Sequence, residues 1–509
     1  MEHTPVSVPP YIRRNSVPLI PYESLKEREM ERAADRQRVL LRHLQPLSCS
    51  DPPCLTGVVL LAQGSICAAT ENLVYQRSNG FDDDVVIVAA CRTAICKANK
   101  GGFKDAHAED LLAPLLEELL QKTKVNPNEV GDIIVGTVLA PGSQRAIECR
   151  MAAFYAETVP LRTVNRQCSS GLQAVADVAA AIKAGYYDIG IGAGLESMTL
   201  NKVGWEGSPN PKAKYLQQVQ DCYLPMGVTS ENVAERYGIT KEEQDQAAVV
   251  SHKRAAAAIA SGKFKEEIVP VTTKIMDPKT GVEKVVTVSM DEGVRPNTSL
   301  SDLAKLKPAF KKGGSTTAGN ASQLSDGAGA VLLMRRDVAI RKGLPILGIF
   351  RSFAAIGVDP AVMGIGPAFA IPAAVRAAGL QIKDIDLYEI NEAFASQYVY
   401  CIKELGLDPE KVNVNGGAIA LGHPLGATGF SFSKSVGYVV TYVAPVSDQR
   451  DEIADFSVLK EQVAGGIFLD SKTGIFGLWA SCWALEWELQ LFLKEETVDR
   501  FSNVQIAHS

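Results

Sequence analysis

The sequence predicts an α/β fold built from two similar halves, and three observations carry the prediction. Apolar runs of strand length alternate with amphipathic helical stretches. Gly is abundant at 42 residues while aromatics make up only 7%, as expected where helices pack closely on a sheet. A succession of helix, strand and Gly-rich block also occurs twice along the chain.

The elements follow in order. Residues 85–90 form an apolar run bounded by acids and Arg92, a buried strand. Residues 111–120 are helical, with Leu112, Leu115, Leu116 and Leu119 on one face. Residues 132–138 give a second strand. Residues 171–184 give a helix with Leu172, Val175, Ala176, Ala179 and Ile182 at helical spacing, and residues 188–193 another strand. These lengths predict a mostly parallel sheet. Residues 200–300 form a less regular insert with a charged helix over 240–260. Strands resume at 325–334 and 344–350, followed by a helix over 369–378 and a strand over 385–390.

Composition excludes several classes. At 509 residues the chain suggests about three domains. With Lys+Arg 52 against Asp+Glu 58 the net charge is −6, so no basic field invites nucleic acid. No uninterrupted apolar run approaches the ~18 residues of a bilayer span. The ten cysteines contain no C-x-x-C pair and read as reduced thiols. No His/Cys/Asp cluster has metal-ligand spacing, and no cofactor motif is present, since Gly190-x-Gly192-x-Gly194 lacks the dinucleotide spacing. No secretory signal is expected; residues 1–80 are rich in Pro, Ser, Arg and Glu and read as a mobile N-terminal segment holding a short basic amphipathic helix, 36–44.

Three blocks can carry chemistry. Cys168 stands before a helix amid Ser169, Ser170 and Gly171, where N–H donors and the helix dipole would favour thiolate; the alternative is a buried structural Cys. His423 lies in a loop from Gly416 to Gly429 where backbone can approach a ligand, and could take a thiol proton or donate to an oxyanion; the alternative is a packing His. Asn391 ends a strand, where open α/β sheets bind ligands; the alternative is a helix N-cap. The small-residue turn 316–322 could admit a narrow ligand arm.

Asn165-Arg166-Gln167-Cys168-Ser169-Ser170-Gly171, Asn391-Glu392-Ala393-Phe394 and Gly422-His423-Pro424 together resemble the thiolase family over about 82–429. The resemblance implies a duplicated five-layered αβαβα fold with a loop domain over 199–310. Its N-terminal half is 81–198 plus 311–340; its C-terminal half, 341–429, is incomplete. It implies a homodimer that cleaves 3-ketoacyl-CoA with CoA, a co-substrate rather than a cofactor, to acetyl-CoA and a shortened acyl-CoA. By the same resemblance Cys168 is the acyl carrier, His423 the base, Asn391 the holder of a water, and Met226, Ala318 and Ser322 the substrate contacts. Residues 36–44 then read as a peroxisomal import signal for a receptor. Residues 1–29 look like an added leader, and a presequence is expected to be cut near Cys67.

One part of the family pattern is missing. Thiolases carry a second cysteine in a C-x-G block, whereas the only cysteine after Cys401 is Cys482, in Ala480-Ser481-Cys482-Trp483-Ala484. Residues 430–509 are expected to be an atypical tail that leaves the second sheet with an exposed edge. The alternatives are an impaired relative that binds acyl-CoA or pairs with an intact subunit, and an acetoacetyl-CoA-forming thiolase.

Overall fold

The computed structural model describes residues 84–428, apart from 157, 204–209, 212–214, 216 and 278, with the backbone of Thr441–Val443 and Ile475–Ala480. All belong to one unit, Ile66–Ser509. The N-terminal segment 1–80 with its import stretch, Cys67 and Cys482 lie outside the described residues.

The strands are β1 (Val85–Arg92), β2 (Cys96–Lys97), β3 (Asp132–Gly136), β4 (Leu161–Val164), β5 (Ile189–Ser197), β6 (Val271–Met276), β7 (Glu283–Val288), β8 (Ser325–Arg335), β9 (Gly348–Phe350) and β10 (Leu387–Ile390). A seven-stranded sheet runs β4-β3-β5-β8-β1-β9, with β2 beside β8. β3 is parallel to β4 and β5, but β8 is antiparallel to both β5 and β1, and β9 to β1. The expectation of a mostly parallel sheet is therefore corrected to a mixed one. Helical crossovers enforce parallel neighbours in the first half, whereas β8 returns from the long insert and is free of that constraint.

Both faces of this sheet are covered. Helix α1 (Ala108–Thr123) buries Leu111, Leu112, Leu115, Leu116 and Leu119 against Ile133, Ile191 and Leu332. On the opposite face lies α3 (Ser170–Lys183), which follows α2 (Gly142–Ala152) and buries Leu172, Val175, Val178, Ala179 and Ile182 against Ile134, Val331 and Leu333. Adjacent residues such as Ile133 and Ile134 enter different cores, which is the pleat of a strand buried on both sides. At the end of β3 the backbone of α3 comes so near that a Cβ on Gly136 would stand 2.2 Å from the Ser170 carbonyl carbon, so only glycine fits there.

The insert carries α4 (Met226–Tyr237) and α5 (Lys241–Ala260). Thr240 caps α5 in a reciprocal capping box with Glu243, which is why the charged stretch starts its helix there. The hairpin β6–β7 was not legible in the sequence, since its exposed Thr, Lys and Glu lack a core-facing run.

The second half contains α6 (Gly366–Ala377), β10 and α7 (Ala395–Leu405), packed around Ile371, Val375, Ile385, Tyr388, Ile390, Tyr398 and Cys401. The strand expected over 344–350 is confined to β9. Among the described residues one helical run, Pro360–Ala377, has the length and apolarity of a bilayer span; it is 67% buried in this second core, as a core helix is.

The tail departs from the expected open edge. β12 (Ile475–Ala480) pairs parallel with β10, and β11 (Thr441–Val443) pairs antiparallel with β12. The order β10-β12-β11 and its senses repeat β3-β5-β8 of the first half. The edge of β10 thus finds a backbone partner in the segment that the sequence marks as atypical.

Candidate active site

Cys168, the candidate nucleophile, follows a strained turn. Gln167, immediately before Cys168, has φ 49, the left-handed region where a residue with a Cβ is costly. Side chains fix it there. The Asn165 Oδ1 accepts the Gln167 N–H at 2.9 Å, while Ser170 Oγ accepts the Arg166 N–H at 2.9 Å and donates to the Gln167 carbonyl at 2.6 Å. Cys168 is half-buried, one residue ahead of the N-cap Ser169. Burial pushes its thiol up to about 12, and the charge of Glu196 adds to that. This corrects the expected thiolate: in the resting protein desolvation outweighs the helix dipole, and Cys168 is a thiol.

His423 comes from the second half yet is seated on the first. Its N–H donates to the Gln323 carbonyl at 3.1 Å and to Ser325 Oγ at 3.3 Å, and Leu324 forms a parallel bridge with it. The ring is buried at 4% exposure, and burial lowers its pKa to about 4. It is a neutral imidazole. The Asn391 Nδ2 lies 3.3 Å from Nε2 and Thr428 Oγ1 lies 2.6 Å from Nδ1. With the amide in this orientation Nδ2 donates to Nε2, so Nε2 bears the lone pair and Nδ1–H donates to Thr428.

Asn391 follows β10 directly and is buried. It is not a helix cap: α7 begins at Ala395 with Phe394 as its N-cap. Gln397 Nε2 donates to the Asn391 carbonyl at 2.8 Å and fixes its backbone, whereas the Asn391 Oδ1 is buried without a protein partner. A water or a substrate oxygen protonated by its surroundings would satisfy it.

One residue that links the parts was not singled out from the sequence. Glu196, in β5, is fully buried. Its Oε2 accepts the N–H of Val138 at 2.9 Å and of Gly426 at 3.1 Å, and its Oε1 that of Leu139 at 3.4 Å. Burial raises its carboxyl to about 7 against the pull of Arg145 and these donors. A lone acid in the otherwise uncharged strand IGIGAGLES was the available signal. Thr428 was likewise missed, because a Thr in a Gly-rich loop has no pattern to mark it.

Of the remaining candidates, Ser322 and Met226 lie near the Asn391 block. Ser322 Oγ donates to the Ala393 carbonyl at 2.9 Å, and Ala321 bridges Phe394. Phe394 meets Phe310 edge-on at 6.1 Å, and Phe310 covers Gly227, next to the half-buried Met226 that opens α4. Ala318 is exposed. Among the described residues no cluster of His, Cys, Asp and Glu has the arrangement of a metal site.

Two α/β halves deliver a thiol and a neutral imidazole to loops that share one buried carboxylate, an arrangement with the groups that covalent acyl transfer needs. The chain belongs to the thiolase family: residues 85–337 match the thiolase N-terminal domain and residues 344–442 the thiolase C-terminal domain. The second match runs past Gly429, so the family resemblance extends further into the tail than expected. The chain is 68% identical over 403 residues to the peroxisomal 3-ketoacyl-CoA thiolase 2 of Arabidopsis thaliana, covering 79% of this chain and 86% of the relative. It is 69% identical to the peroxisomal 3-ketoacyl CoA thiolase 1 of Petunia hybrida, with the same coverage. The dimeric peroxisomal thiolase of Saccharomyces cerevisiae superposes with a TM-score of 0.63 at 44% identity, over 69% of this chain and 89% of that one. The duplicated thiolase fold follows.

Proposed function

We propose that the chain is a peroxisomal 3-ketoacyl-CoA thiolase of fatty acid β-oxidation, working as a homodimer. The observation that carries this reading is the convergence of the Cys168 and His423 loops on Glu196. The Cys168 sulfur attacks the 3-keto carbon as its proton passes to the His423 Nε2, so a thiol and a neutral base react without a standing ion pair. The C2–C3 bond then breaks, the acyl group stays on Cys168, and the acetyl-CoA enolate takes a proton at C2. CoA, deprotonated by the same imidazole, attacks the thioester and releases the shortened acyl-CoA. Asn391 holds, through its unpartnered Oδ1, a water that donates to the oxyanion; losing such a donor typically costs ~10²–10³ in rate. Met226, Ala318 and Ser322 line the acyl-pantetheine arm.

In a chain without the C-x-G cysteine the proton for C2 comes from the His423 imidazolium. Loss of a dedicated acid costs ~10²–10⁴-fold. That gap favours a second reading, a relative that binds acyl-CoA or pairs with an intact subunit without turning over. The test is CoA-dependent loss of a 3-ketoacyl-CoA by the full chain and by Cys168→Ser. Turnover abolished in the variant supports the enzyme; equal rates refute it; no turnover by either supports the second reading. Import of a fluorescent fusion, with and without Arg36→Ala, tests the peroxisomal location and the receptor.

A further inference from the structure

We infer that Glu196 is the positioning residue that registers nucleophile against base, one carboxylate acting on both catalytic loops. The inference rests on the thiolase reading of the site. Toward the base, Glu196 Oε2 accepts the Gly426 N–H at 3.1 Å, three residues after His423. The loop fits there only as glycine: a Cβ on Gly426 would stand 2.6 Å from the Leu195 carbonyl oxygen and from the Thr137 Cα. Toward the nucleophile, Glu196 accepts the Val138 N–H at 2.9 Å, and the carbonyl of that same Val138 accepts from Asn165 Nδ2 at 3.1 Å. Asn165 in turn holds Gln167 beside Cys168. The path from Cys168 to His423 is thus a short series of hydrogen bonds centred on one side chain, buried at Glu196 and exposed at Asn165.

Burial is the main force that opposes thiolate at Cys168, and the charge of Glu196 adds to it. From α2, Arg145 faces Glu196, its NH2 3.7 Å from Oε1; Cys149 on the same helix and Cys168 are the titratable neighbours acted on by its charge. Arg145 is itself shared with Glu148 at 3.0 Å and Asn201 at 2.8 Å, so it does not neutralise Glu196 alone. Two separable effects follow: the length of the side chain sets the loop spacing, and its charge adds to the burial that keeps Cys168 protonated.

Two variants of the full chain separate these effects. Glu196→Gln keeps the length and removes the charge; Glu196→Asp keeps the charge and shortens the reach. Each is measured for thiolysis and for iodoacetamide alkylation at pH 8, read at the Cys168 peptide by mass spectrometry. Glu196→Asp is expected to lose about tenfold or more in kcat, with KM for acyl-CoA within about threefold and an alkylation rate near wild type. Glu196→Gln is expected to alkylate about three- to tenfold faster, since one unit of pKa is a factor of ten in thiolate. Full kcat in Glu196→Asp overturns the positioning inference, and unchanged alkylation in Glu196→Gln overturns the electrostatic part added to it. Alkylation needs no turnover, so an inactive wild type would defeat the functional reading and the positioning role that rests on it, while the alkylation rates still test the charge of Glu196; full kcat in Glu196→Asp defeats the positioning role alone.

Discussion

Thr428→Val tests how the imidazole is set. The substitution replaces the hydroxyl 2.6 Å from the His423 Nδ1 with a methyl of nearly the same shape. His423 is 4% exposed, so water cannot take over the lost bond. Leaving one buried polar group unpaired costs ~1–3 kcal/mol. Moving the proton to Nε2 does not escape that cost, since Nδ1 then lacks a donor and Nε2–H faces the Asn391 N–H, and it also removes the lone pair needed for the Cys168 proton. Either way the deficit falls on the acylation step and corresponds to about 5- to 150-fold in kcat at ~1.4 kcal/mol per decade. KM should stay within about twofold, because Thr428 Oγ1 is held by His423 and Pro424 rather than by substrate. Thr428→Ser restores the hydroxyl and should recover most of the rate. The assay is loss of 3-ketoacyl-CoA absorbance at saturating CoA. A Thr428→Val enzyme within twofold of wild-type kcat would refute the tautomer argument.

Other outcomes follow from geometry described above. Gly136→Ala drives a Cβ into the Ser170 backbone and should cost at least ~1–3 kcal/mol, seen as a lower urea midpoint. His252 and His423 both have pKa values lowered to about 4 by burial; the unfolded chain therefore binds more protons from ~6.5 down to 4, stability falls as pH drops through that window, and His252→Asn should flatten the fall in Tm. Ending the chain at residue 443 removes β12 and bares the β10 edge, so light scattering at equal concentration should rise over that of the full chain.

The first half was the more readable from sequence. Its strands and α3 announce themselves because both faces of the sheet are buried, making near-continuous apolar runs. Strand direction was not readable, since β8 carries no mark of which way a long insert will return it. Cys168, His423 and Asn391 were legible as motif residues. The protonation state of the thiol was not, because it depends first on burial and then on Glu196, 28 positions later in the chain. Thr428 and Glu196 act through hydrogen bonds between loops, and such bonds have no periodicity. The partner of β10 was hidden for the same reason: a strand finds its neighbour by backbone, whatever its side chains spell.

The seat of His423 on residues 323–325 makes chemistry a late event in the life of this polypeptide. A ribosome that has finished residue 400 has released the sulfur, its strained turn and the strand that will receive the imidazole, but no imidazole. Nascent chains therefore carry the thiol without its base through synthesis, and the pair forms only when the last-made half closes on the first.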